Sequence, residues 1–118
     1  MVIHLNEYPP STNVIWRVAR NRIIKSAAYR QWLSSQTEFI HSQNRKKLIG
    51  SYSLEIIVRR KDKRRRDIDN FIKPISDLLV TSGMVEDDSL CHIVAATWGD
   101  FGSEITLLLH HVDLTGEI

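Results

Sequence analysis

The sequence predicts a small α/β domain of the α+β kind, one domain over residues 1–118, with element order β-α-β-α-β-β and helices packed on a mixed sheet. Three observations predict it. Two stretches carry apolar residues at the three-and-four spacing of a helix face, and a third alternates apolar and polar residues as a strand does. A length of 118 residues with 42% hydrophobic content is enough for one core and short for two.

Val2, Ile3, Leu5 and Tyr8 make an opening strand within residues 1–8, stopped by Pro9 and Pro10. Residues 11–25 show no clean period and read as irregular. Ser26 is placed to cap a helix over 27–43, whose inner face is drawn by Tyr29, Trp32, Leu33 and Ile40. Residues 51–60 form a strand in which Tyr52, Leu54, Ile56 and Val58 alternate with Ser53, Glu55 and Ile57. Ile68, Phe71, Ile72, Ile75, Leu78 and Leu79 then give a second helix ended by Gly83. Pro74 must lie near its start, so the first turn begins no earlier than Asp69 or Asn70, which are natural caps. Two strands, 90–98 and 105–110, are expected to pair as a hairpin through Gly99–Gly102.

The net charge of +2 conceals a strong polarity. Residues 59–66 hold seven of the 16 Lys and Arg and one of the 14 Asp and Glu, a local +6 that leaves −4 for the rest. Arg59, Arg60, Lys61, Lys63, Arg64, Arg65 and Arg66 thus form a phosphate-binding strip, with Arg17, Arg20 and Arg22 as further cations. Neighbouring cations add their fields and release counterions from a polyanion, so DNA or RNA is the leading partner. A single cysteine, Cys91, excludes an intrachain disulfide and any C-x-x-C zinc motif, and suits a reducing, cytoplasmic setting. No apolar run is long enough for a bilayer, and the first residues lack the pattern of a signal peptide, so no membrane association is expected.

The strip runs directly into Asp67 and Asp69. Alternate residues of extended chain share a face, so both carboxylates can point into one pocket. Two like charges held close favour a divalent cation between them, and Mg²⁺ takes oxygen ligands while keeping several waters. Asp87 or Asp88, beyond the second helix, supplies a third acid if the chain folds back. Lys73, four residues after Asp69, can meet a phosphate in the same pocket or simply pair with Asp69. The plainer alternative is that Asp67 and Asp69 cap the helix and pair with Arg64, Arg65 or Arg66.

The run Arg65-Arg66-Asp67-Ile68-Asp69-Asn70-Phe71-Ile72-Lys73-Pro74, followed by Asp77-Leu78-Leu79, Gly83 and Glu86-Asp87-Asp88, resembles the RusA family of Holliday junction resolvases. Pro9-Pro10-Ser11-Thr12-Asn13 extends the resemblance over most of residues 5–98. It implies a homodimeric, Mg²⁺-dependent endonuclease, with Mn²⁺ able to substitute and no small-molecule cofactor. Such enzymes cut four-way DNA junctions by paired symmetric nicks in recombination and repair. The resemblance further implies Asp67, Asp69 and Asp88 as catalytic acids and metal ligands, Asp87 as an alternative ligand, and Lys73 as the basic partner. Two rivals are a metal-independent toxin-type ribonuclease and a DNA-binding module whose acids are structural.

Overall fold

The computed structural model describes residues 1–11, 15–19, 21–63 and 66–113. Its strands and helices are β1 (Val2–Leu5), β2 (Trp16–Ala19), β3 (Arg22–Lys25), α1 (Ala27–Gln43), β4 (Tyr52–Val58), α2 (Ile72–Thr81), β5 (Cys91–Trp98) and β6 (Ile105–His111). The α/β class holds, with both helices on one face of a four-stranded sheet ordered β1-β6-β4-β5.

Helix α1 begins where the sequence places it because the Ser26 side chain accepts a bond from the Tyr29 N–H at 3.2 Å. Its inner residues Tyr29, Trp32, Leu33 and Ile40 are buried against Ile75, Leu78 and Leu79 of α2. Both helices cover the sheet face made by Leu54, Ile56 and Val58 of β4 with Ile105, Leu107 and Leu109 of β6. Removing one of these side chains from such a core costs about 2–5 kcal/mol.

Three expectations are corrected. The segment 11–25 is not wholly irregular: β2 and β3 pair as an antiparallel hairpin outside the main sheet, turning beside Asn21 at φ 62°. Asparagine tolerates that left-handed conformation better than most residues. β5 and β6 do not form a hairpin, because β4 lies between them, parallel to β5 and antiparallel to β6. The 99–104 connection passes the end of β4, tied there by Gly99 N–H to Val58 O at 2.9 Å and Arg59 N–H to Glu104 O at 3.0 Å. That passage is tight, since a Cβ on Gly99 would stand 2.9 Å from the Ile57 side chain.

The third correction concerns the start of the second helix. A 3₁₀ turn, Ile68–Phe71, precedes α2, and neither Asp69 nor Asn70 caps it; Asp67 stands before the turn without a side-chain cap bond. Pro74 falls in the first turn of α2, where a missing N–H leaves no intrahelical bond broken. At the other end Gly83, at φ +77°, closes the helix as Met84 N–H reaches Leu79 O and Gly83 N–H reaches Val80 O, both at 3.0 Å. The chain then turns back past Leu48, whose N–H bonds Met84 O at 2.8 Å, and reaches a second 3₁₀ turn, Asp88–Leu90. β4, α2 and β5 form a parallel crossover unit, and this return brings Asp88 beside the start of α2.

Candidate active site

Asp69, Lys73 and Asp88 line one pocket of about 520 Å³, together with Ser76, Cys91 and His92. Each arrives from a different element. Asp69 lies in the first 3₁₀ turn, Lys73 in the first turn of α2, and Asp88 opens the turn before β5.

The acidic triplet after α2 divides its work. Glu86 accepts the Gly50 N–H at 2.8 Å, and Asp87 accepts the Ser89 N–H at 3.1 Å as the cap of the 3₁₀ turn. That backbone bond is the leading cause holding the Asp87 carboxyl below its ordinary range. Asp88 is the member of the triplet that faces Asp69 and Lys73.

Lys73 pairs with Asp77 at 3.0 Å, not with Asp69. This bond, with the Asp77 and Asp88 charges behind it, raises the ammonium above the ordinary lysine range, so it stays charged. Asp77 is itself anchored by the Tyr29 hydroxyl at 2.5 Å, which connects the position of Lys73 to the core side of α1. The Tyr52 hydroxyl is buried beside the Cys91 thiol, with no partner at full hydrogen-bond geometry among the described residues. Burial, then the charges of Cys91 and Asp88, push its titration up to about 12. The Cys91 thiol is also raised, chiefly by burial.

Asp67 goes elsewhere. Residues of a 3₁₀ turn point about 120° apart, so the alternate-residue argument for Asp67 and Asp69 ends at Ile68. Asp67 instead lines a larger groove of about 1240 Å³ with Arg59, Lys61, Arg66 and Asn70, walled by Tyr8, Pro9, Pro10, Phe71 and Trp98. Among the described residues no three His, Cys, Asp or Glu side chains lie together at metal-holding spacing. The observed carboxylate set is therefore a pair with Asp67 on the adjoining surface.

The basic strip is structured rather than simply solvated. Arg59 pairs with Glu104 at 2.8 Å and Arg66 with Asp62 at 3.1 Å. The Arg60 guanidinium lies 4.3 Å from the Trp98 ring centroid, and the Lys61 ammonium 5.8 Å from that of Tyr8. Lys63 is exposed, as are Arg17 and Arg22 on the β2–β3 hairpin. Arg20, Arg64 and Arg65 lie outside the described residues.

Sequence reading missed the aromatic lining. Tyr8, Phe71 and Trp98 come from an N-terminal loop, the 3₁₀ turn and the end of β5, and only folding brings them to the cations. The one available signal was the Tyr8-Pro9-Pro10 run.

These elements define a compact α/β protein with paired carboxylates and a lysine on one side of a turn and a cationic groove on the other. Comparison with known proteins agrees with that class. A profile of the family described as Endodeoxyribonuclease RusA matches residues 7–107, a span that contains every groove and pocket residue named above. A protein of Enterobacteria phage HK97 named Crossover junction endodeoxyribonuclease rusA is 30% identical over 82 residues, covering 69% of this chain and 68% of the phage protein. The chain belongs to the RusA family of endodeoxyribonucleases. Among the described residues no helix is long and apolar enough to cross a membrane.

Proposed function

We propose that the chain, as a cytoplasmic homodimer, resolves four-way DNA junctions by paired symmetric nicks in recombination and repair, using Mg²⁺ or Mn²⁺. The observation that carries this reading is the convergence of Asp69, Asp88 and Lys73 on one pocket in a chain of this family. The donor chemistry fits the ion: Mg²⁺ is commonly served by one or two carboxylates with waters and substrate phosphate. Asp69 and Asp88 would hold it, with Asp67 as the third carboxylate from the groove side. Asp87 is engaged as a cap.

A divalent cation bound there supplies Lewis acidity toward water and the scissile phosphate. The protein's own groups do the rest. Lys73, kept charged and anchored by Asp77, offsets negative charge that grows on the phosphate. Arg59, Lys61 and Arg66 hold the flanking backbone, a contact that carries no sequence information by itself. A twofold dimer would suit this activity because two equivalent strands must be cut, and edge strand β5 leaves Ile93 exposed.

The test is incubation with a synthetic four-way junction in Mg²⁺ and in EDTA. Paired nicks that EDTA abolishes are expected. Asp69→Asn should stop cutting while junction binding is kept or strengthened, because a charge repelling phosphate is gone. Cutting that persists in EDTA would point to metal-independent chemistry, and binding without cutting in any divalent ion would point to a DNA-binding module.

A further inference from the structure

The groove on the Asp67 side is larger and differently built than a phosphate-holding surface requires. At about 1240 Å³ it exceeds the roughly 300–1,000 Å³ typical of small-molecule sites, so it suits a segment of polymer. Backbone recognition needs only cations and hydrogen-bond donors. This groove adds three half-buried aromatic rings, Tyr8, Phe71 and Trp98. Two of them are held in place: Phe71 meets Trp98 edge-on, centroids 6.0 Å apart at 83°, and the Arg60 guanidinium covers Trp98. Rigid rings beside Arg59, Lys61 and Arg66 combine the two features by which proteins hold single strands, stacking platforms and a basic track.

A paired, stacked base cannot offer its face to such a ring, whereas an unpaired one can. We propose that the groove is a single-strand subsite, in which an unpaired nucleotide stacks its base on Tyr8, Phe71 or Trp98 while Arg59, Lys61 and Arg66 hold the adjoining phosphates. The proposal rests on the nuclease reading for the identity of the polymer and adds the state of the strand. The geometry also relates the subsite to the acids. Asp67, Asn70 and Phe71 face the groove, while Asp69 and Lys73 face the carboxylate pocket, so the 3₁₀ turn of about 8 Å is all that separates them along the chain. A strand opened at a branch point and stacked in the groove would thus present a neighbouring phosphate to Asp69 and Asp88.

The test uses the full chain in EDTA, with fluorescence anisotropy of a labelled oligothymidylate and of a same-length strand carrying abasic residues. The two strands share phosphates and differ in bases. Wild type should bind the base-bearing strand at least about fivefold more tightly, the low end for one stacked base. Trp98→Leu and, separately, Tyr8→Leu keep apolar bulk and should shrink that preference toward unity while affinity for the abasic strand stays within about twofold. Equal affinity of wild type for both strands would overturn the subsite, and this arm needs no variant to fold. A variant that weakens both strands equally would also overturn it, since that is the mark of a structural or electrostatic role. Junction cutting in Mg²⁺ is read separately: nicks without a base preference would sink the subsite and leave the nuclease standing, and a base preference without nicks would do the reverse.

Discussion

The two sides of the 3₁₀ turn Ile68–Phe71 differ in almost every physical respect. One side is a small pocket lined by carboxylates from two elements and a lysine; the other is a larger groove of cations and aromatic rings. Neighbouring residues in sequence serve opposite surfaces because each step of a 3₁₀ turn rotates a side chain by about a third of a circle. The contrast teaches that a dense motif can serve two surfaces: Asp69 and Lys73 line the carboxylate pocket, while Asp67, Asn70 and Phe71 line the cationic groove.

Asp67→Asn probes where that division ends and carries the largest expected effect. If both surfaces serve one active centre, single-turnover cutting of a junction falls by more than about a hundredfold, as a lost source of metal-centred charge stabilisation should produce. A loss of only a few-fold would confine Asp67 to the groove. Arg66→Ala sharpens the groove side. Junction binding in EDTA should weaken, and the slope of log affinity against log salt should become shallower by about one. An unchanged slope would remove Arg66 from the phosphate track.

The smallest effect is expected under the carboxylate pocket, at Tyr52. Its folded-state titration lies near 12 against an ordinary 10.0, so the fold prefers the neutral phenol. The corresponding stability is present below about pH 10 and is lost as pH rises toward 12. Tyr52→Phe removes a buried hydroxyl that has the weak Cys91 thiol beside it and no partner at full hydrogen-bond geometry among the described residues, and should leave stability near neutral pH unchanged or raised by about 1 kcal/mol. Its alkaline decline should be shallower than wild type, not absent, because Tyr29 is raised as well. Urea midpoints measured from pH 8 to 12 check this, and parallel declines would show that Tyr52 is not the titrating group.

Local signals explain what was readable. α1 runs over Ala27–Gln43 as its spacing and the Ser26 cap require, and β4 over Tyr52–Val58 follows its alternation. Both depend on interactions within a few residues. The β2–β3 hairpin was not readable from period because it lies outside the main sheet and leaves Val18 and Ile23 exposed, at 75% and 72%. Asn21 was the signal for its turn. β5 and β6 misled for another reason: closeness along the chain suggests pairing, yet β4 fills the space between them.

The amino-acid order alone settles the first helix, the inner face of the second, the inner face of the central strand, the basic run and the acids that follow it, since periodicity, capping and charge are properties of short stretches. Folding in three dimensions decides which acids meet. The return of the chain after Gly83 brings Asp88 to the pocket of Asp69, Asp67 lies ahead of the 3₁₀ turn on the groove side, and Trp98 comes from the far end of β5 to Phe71. These distances are set by the packing of α2 on the sheet, a long-range balance of burial and loop closure that no local window contains.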